Sequence, residues 1–183
     1  MYRVMIIDDE KALRNLLKAA VDWQEMGLEV VGEAASGIEA INIIDKLHPD
    51  IIFVDIRMPF MDGIEFSKIA LKRYRQMKII ILTAFDEFEY AKEAVHLEIK
   101  EYMLKPISAA ELSECLTGLK ETLDKEREEK LNVRKLEDYF REVLPALRSN
   151  LFVSLIEGRV SEEDYKKFLK AYQVDMRGPL YCC

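Results

Sequence analysis

No stretch of this chain approaches the roughly 20 consecutive apolar residues that a bilayer-spanning helix requires. The opening Met1-Tyr2-Arg3-Val4-Met5-Ile6 runs straight into a strand pattern instead of a signal peptide. No membrane partner is expected, and a cytoplasmic location is. Cysteine is scarce: Cys115, Cys182 and Cys183 show no metal-ligand or redox spacing, and an odd count suits a reducing compartment better than a disulfide scaffold. The two histidines, His48 and His96, sit in no ligand pattern and read as surface or cap residues. Only 7 Gly and 5 Pro punctuate 183 residues, and there is no internal repeat and no Ser- or Gly-rich linker. Positive charge is in deficit, with 27 Lys and Arg against 34 Asp and Glu and a formal net charge of -7. That balance disfavours nonspecific binding to nucleic acid by these residues, so any DNA contact is expected from another segment.

What the chain has in quantity is apolar and charged residues, 50% and 33%, enough for one well-packed domain plus an appendage. Its centre is Ile51-Ile52-Phe53-Val54-Asp55, an unbroken β-prone run that ends on a carboxylate and precedes Ile56-Arg57-Met58-Pro59. Such continuous runs belong to strands buried on both faces of a parallel sheet, where ligands lie beyond the carboxyl ends of the strands. Arg3 to Ile7 is a second run of this kind; it stops at Asp8-Asp9-Glu10 before a helical pattern of Leu13, Leu16, Leu17 and Ala20. Leu28 to Val31 makes a short strand. Ser36 and Glu39 form a capping box that opens a helix through Ala40, Ile41, Ile44 and Leu47, and His48-Pro49-Asp50 ends it. Asp62-Gly63 turns into a helix bearing Ile64, Phe66, Ile69 and Leu71, followed by a strand from Ile79 to Leu82 that ends at Thr83. Asp86 and Glu89 cap a helix containing Tyr90, Ala91, Ala94 and Val95; a last strand around Tyr102-Met103-Leu104 meets Lys105-Pro106, and Ser108 with Glu111 opens one more helix. Strict alternation predicts a doubly wound, five-stranded parallel α/β sheet of flavodoxin-like layout with right-handed crossovers.

The final helix of this domain carries Leu112, Leu116, Leu119 and Leu123, read as core, and then passes into the charged run Asp124 to Lys130. The expected organisation is a domain over 1–121, a helical linker over 122–144 that could form a coiled coil, and a short helical segment over 145–183. In the linker Leu136, Phe140, Val143 and Leu147 restore the apolar stripe, and Pro145 is expected to kink or restart the helix. Two short amphipathic helices follow, around Leu151 to Ile156 and Ser161 to Tyr172, with Phe152, Leu155, Phe168 and Leu169 as their apolar face. This tail reads as the loosely held opening of a middle domain cut short.

Asp8-Asp9, Asp55, Thr83 and Lys105-Pro106 all fall at strand ends, and in a parallel sheet on one edge. Two carboxylates about 5 Å apart repel by roughly 3 kcal/mol at an effective dielectric near 20, so converging aspartates call for a cation. All-oxygen ligands with room for water suit magnesium. Asp55 would attack a phosphorus atom in line, giving an aspartyl phosphate, while the metal and Lys105 neutralise charge on the equatorial oxygens.

On these residues the chain resembles the receiver domain of bacterial two-component response regulators over residues 1–121. The resemblance implies that Asp8, Asp9, Asp55 and the backbone carbonyl of Arg57 hold Mg2+, and that Asp55 is the phosphoacceptor. It makes Thr83 the switch hydroxyl, Ala84 a backbone donor to the phosphoryl group and Tyr102 an aromatic that turns inward on activation. Lys105-Pro106 matches a pair whose peptide is typically cis in the family, and Phe85 takes a position that tunes acyl-phosphate lifetime. Leu82-Thr83-Ala84-Phe85-Asp86-Glu87-Phe88-Glu89-Tyr90-Ala91 and Leu144-Pro145-Ala146-Leu147-Arg148 are similar to the YesN-type regulators, which carry an AraC-like helix-turn-helix domain. The implied partners are a sensor histidine kinase, a second copy on phosphorylation, and DNA only through a C-terminal domain not among these residues. The implied role is a transcription-regulating switch that transfers a phosphoryl group only to itself and turns over no substrate. The alternatives are a stand-alone receiver acting through protein contacts, or an Asp-nucleophile phosphatase. The usual form of the latter has a second Asp two residues after the nucleophile, whereas Glu10 stands two after Asp8. A flavin-phosphate binder would need Ser, Thr and Gly amides after the first strand, not three carboxylates.

Overall fold

The computed structural model describes residues 1–83, 101–159 and 161–171. Five strands, β1 (Tyr2–Ile7), β2 (Leu28–Ala34), β3 (Ile51–Asp55), β4 (Lys78–Thr83) and β5 (Glu101–Leu104), form one parallel sheet in the order β2-β1-β3-β4-β5. Every residue of β3 is buried, as an apolar run covered on both faces must be. Helices α1 (Lys11–Ala20), α2 (Gly37–Leu47) and α3 (Gly63–Arg73) alternate with the strands, and α4 (Ala109–Ile156) and α5 (Glu162–Ala171) follow β5. The helix expected over 86–95 and His96 lie outside the described residues.

Side-chain alternation along the strands sorts the core into two layers. Met5, Ile7, Ile52, Val54, Ile79 and Ile81 pack with Ala40 and Ile44 of α2 and with Ile64, Phe66 and Ala70 of α3. Val4, Ile6, Ile51, Phe53, Ile80 and Leu82 pack on the other face with Leu17 of α1 and with Leu112, Leu116, Leu119 and Leu123 of α4. The leucine stripe therefore covers the sheet; burying each of these side chains contributes about 1.5–3 kcal/mol. Trp23 meets Phe53 edge to face at 6.2 Å, anchoring the end of α1 to the central strand.

Local capping agrees with the sequence. Glu39 N–H donates to Ser36 Oγ at 3.2 Å and the Glu39 carboxylate accepts from Ala35 N–H at 2.7 Å. Glu111 N–H donates to Ser108 Oγ at 3.2 Å and the Glu111 carboxylate accepts from the Ser108 N–H at 3.1 Å, and His48 closes α2 in the left-handed region at φ 41°.

Four features differ from expectation. Strand β2 continues through Gly32 to Ala34, past an irregular register between Val4 and Met5. Glycine permits this because a Cβ at Gly32 would stand 2.3 Å from Leu47 Cδ1, so α2 packs against bare backbone. Leu16 and Ile69, read into apolar stripes, are 51% and 39% exposed, while Arg14 takes an inward position on α1. The helix is not restarted at Pro145: α4 passes through it and absorbs the short helix expected at Leu151 to Ile156, and among the described residues Glu162–Ala171 follows as a separate helix. An interior proline forfeits one N–H, and both Pro145 and Arg141, whose carbonyl would be its partner, stand at exposed positions of the helix.

The chain divides into the units Met1–Leu123 and Asp124–Cys183. In the second, Leu131, Val133, Leu136, Tyr139, Phe140, Leu147 and Val153 are exposed, and Asp164 N–H donates to Ser161 Oγ at 3.2 Å ahead of α5. The side chains of Phe152, Leu155, Phe168 and Leu169 lie outside the described residues. No described helix is long and apolar enough to cross a membrane.

Candidate functional site

Register assembles the site. Ile7 lies beside Val54, Asp55 beside Leu82 and Thr83 beside Leu104, so Asp8, Asp55, Thr83 and Lys105 reach a common carboxyl-terminal edge. Alternation then separates them. Asp8, Asp55 and Lys105 continue the rows of Ile6, Phe53 and Met103 on the face covered by α1 and α4, whereas Thr83 and Tyr102 belong to the rows of the opposite layer.

Asp8 is fully buried. Its Oδ1 accepts from Glu10 N–H at 2.8 Å and its Oδ2 from Lys105 Nζ at 2.9 Å. The same ammonium contacts Asp55 Oδ1, and Asp55 is 6% exposed. One lysine thus sits between two carboxylates from different strands. Burial pulls the Lys105 pKa down, but hydrogen bonds and charge from Asp55 and Asp8 outweigh it and hold it above the ordinary lysine value. Thr83 is buried at the adjacent strand end, and the Lys105 N–H donates to its carbonyl at 2.8 Å. The Lys105-Pro106 peptide is cis. Tyr102 is half-buried against the α2–α3 layer, and burial raises its phenol pKa. Asp9 is exposed and stands apart from the lysine-bridged pair; with Arg57, Pro59 and Asp62 it lines an adjoining cleft of about 350 Å³. Ala84 and Phe85 lie outside the described residues.

The pairing yields a pH-dependent prediction. A lysine pKa raised by folding contributes stability that is full below the unfolded value, about 10.4, and is lost as pH rises through the folded value. Lys105→Met should cost about 2 kcal/mol at pH 7, less than a fully buried pair because the lysine side chain is 21% exposed. Urea unfolding of both proteins should show that gap closing above pH 10.4; a gap constant through pH 11.5 would contradict the assignment.

Sequence reasoning missed two contributors. Arg14 turns inward beneath the acidic turn, its Nη1 donating to the Asp8 carbonyl at 2.6 Å. A stripe analysis that scores only apolar residues passes over it, although it lies one turn before Leu17. Gly63 brings the start of α3 against the central strand: its N–H donates to the Ile56 carbonyl at 2.9 Å, and a Cβ there would lie 2.1 Å from the Asp55 carbonyl oxygen. Its place in the Asp62-Gly63 turn into a helix is legible in the sequence, but the close approach is not.

Among the described residues, no three Asp, Glu, His or Cys side chains are grouped closely enough to enclose a metal. Magnesium asks for less, because it binds through one or two carboxylates and keeps water and phosphoryl oxygens as its remaining ligands. Asp8 and Asp55, already drawn to a shared cation, fit that demand. Cys115 is partly buried, and burial together with the charge of Glu101 pushes its thiol up to about 11, in keeping with an inert side chain.

A doubly wound sheet whose carboxyl edge joins two aspartates through a lysine defines a receiver of the response-regulator class. The family profile of the response regulator receiver domain matches residues 4–117, and the chain belongs to that family. It is 29% identical over 161 residues to the uncharacterized transcriptional regulatory protein YesN of Bacillus subtilis, covering 88% of this chain and 43% of that protein. It is also 29% identical over 164 residues to the transcriptional regulatory protein HptR of Staphylococcus aureus, covering 88% and 64%. The chain thus spans less than two thirds of the length of these curated relatives. Among solved structures it is similar to the REC domain of AraT, a response regulator from Geobacillus stearothermophilus, with TM-score 0.66, 38% identity and coverage of 69% of this chain and 98% of that one. A two component transcriptional regulator AraC from Clostridium phytofermentans gives TM-score 0.65 and 33% identity, with the same coverage.

Proposed function

We propose that this chain is the phosphorylation-controlled receiver of a two-component transcriptional regulator, accepting a phosphoryl group on Asp55 from a sensor histidine kinase. The observation that carries the reading is the Lys105 ammonium held between the carboxylates of Asp8 and Asp55. An Asp55 carboxylate oxygen attacks the phosphorus in line, the P–N bond to the donor imidazole breaks, and the imidazole leaves with its electron pair. Lys105 exchanges part of its pairing with Asp55 for the new phosphoryl oxygens, and Asp8 keeps the ammonium in place. Asp8, Asp9, Asp55 and the Arg57 carbonyl would hold a Mg2+ ion, which would supply further charge neutralisation. The Thr83 hydroxyl and the Ala84 N–H take the remaining phosphoryl oxygens, and Tyr102 follows Thr83 inward. The domain does this over residues 1–121, with 122–144 as linker to the helical segment 145–183. DNA is reached through a segment not among these residues, as the transcriptional regulators it resembles lead one to expect.

Incubation of the native chain with acetyl phosphate and Mg2+ should add one phosphoryl group by intact mass, and chelation of the metal should prevent it. A chain that takes up none would refute the reading. Phosphorylation should also favour a second copy of the chain across the face containing β5: beryllofluoride should enrich dimer in light scattering, and an unchanged monomer at high concentration would count against the dimer.

A further inference from the structure

We infer that Arg14 is a positioning residue for the cation site, fixing the Asp8-Asp9 turn so that the Asp8 carboxylate is presented to a divalent ion. The inference rests on the phosphoacceptor reading and concerns a residue that makes no contact with the reacting atoms. Arg14 is buried although charged, and its hydrogen bonds explain why. Nη1 donates to the Asp8 carbonyl at 2.6 Å and reaches the Asp9 carbonyl at 3.5 Å, while Nε pairs with Glu33 Oε2 at 3.3 Å. Lys18 Nζ holds the same Glu33 oxygen at 2.9 Å. The Lys18 hydrogen bond and charge, with those of Arg14, keep the Glu33 carboxyl below its usual pKa against the opposing effect of burial.

The turn is therefore clamped from two sides. The Asp8 N–H donates to the Ala34 carbonyl of β2 at 3.1 Å, and its carbonyl is taken by Arg14 of α1. With both peptide groups fixed, Asp8 Oδ1 accepts from the Glu10 N–H and Oδ2 from Lys105, whose ammonium also pairs with Asp55. Removing the guanidinium leaves a buried carbonyl without its donor, so the turn must shift to regain one. Partners of this kind commonly change metal affinity by about 10–100-fold.

The sign of the effect separates positioning from charge. Arg14 is itself cationic, so simple electrostatics predicts that its removal tightens binding of a divalent ion. Positioning predicts the reverse. The test titrates the full chain with Mn2+, counting free ion by electron paramagnetic resonance and competing with Mg2+, alongside thermal melts and phosphoryl uptake from acetyl phosphate. Arg14→Ala should bind Mn2+ about 10-fold more weakly while remaining folded. Arg14→Lys, which keeps the charge but not the planar fork that serves Glu33 and two carbonyls together, should also be weaker than native. If Arg14→Ala does not fold, Arg14→Lys decides alone. Native or tighter Mn2+ binding in a folded Arg14→Ala, or native binding in Arg14→Lys, overturns the inference. A native chain that binds no Mn2+ and takes up no phosphoryl group overturns both the inference and the reading beneath it. Native uptake with indifferent Arg14 variants overturns the inference alone.

Discussion

Asp55→Asn is expected to gain no phosphoryl group from acetyl phosphate and Mg2+ under conditions in which the native chain gains one. The amide has nearly the volume of the carboxylate, so the β3 terminus and its core neighbours Phe53 and Val54 should keep their packing. It lacks the anionic oxygen that attacks phosphorus. Neither Asp8 nor Asp9 can substitute. Asp8 is fully buried with both carboxylate oxygens engaged, by Glu10 N–H and by Lys105. Asp9 is exposed beside the cleft and outside the lysine pairing that would neutralise an incoming phosphoryl group. An added mass that survives Asp55→Asn would show that the phosphoacceptor lies elsewhere. Asp9→Ala, which removes a proposed ligand and leaves the nucleophile, should likewise abolish magnesium-dependent uptake; retained uptake would remove Asp9 from the metal set.

Gly63→Ala is expected to destabilise the receiver by about 3 kcal/mol, the upper part of the usual range for overpacking a filled site. The added Cβ would meet the Asp55 carbonyl oxygen at 2.1 Å and Val54 Cγ2 at 3.1 Å. The first of these is backbone of the central strand and cannot swing aside as a flexible side chain would. Either α3 lifts, breaking the Gly63 N–H bond to the Ile56 carbonyl, or the end of β3 moves with Asp55, the proposed phosphoacceptor, on it. In the second case phosphoryl uptake should fall as well, since misplacing a reacting group by about 1 Å can cost 100-fold in rate. Gly118→Ala provides the control, because a Cβ there meets nothing within 4 Å and the residue lies inside α4. It should be neutral or stabilise by up to about 1 kcal/mol. Urea midpoints for the two variants decide the matter, and equal midpoints would mean that the contact at Gly63 relaxes without cost.

The sequence by itself determined the alternating α/β order, the buried central strand and the sheet-facing leucine stripe of α4. It also marked the strand-end positions of Asp8, Asp55, Thr83 and Lys105, because these follow from periodicity and from where apolar runs stop. The capping boxes at Ser36 and Ser108 were readable for the same reason: their partners lie three or four residues away. Tertiary structure alone decided what pairing does at longer range. Asp8 and Asp9 are adjacent and chemically identical, yet only Asp8 faces Lys105, across a separation of 97 residues, because side-chain direction alternates where the chain leaves β1. Arg14 was hidden because an inward-facing charge looks like solvent-facing polarity until a buried carbonyl is found to accept from it. The demands at Gly32 and Gly63 come from a Leu47 side chain and an Asp55 carbonyl that local sequence does not bring near. Pro145 lies within α4 at an exposed position, where local sequence rules expect a break or kink. Periodicity records which way a residue faces; only the packed sheet and helices fix which atom it meets.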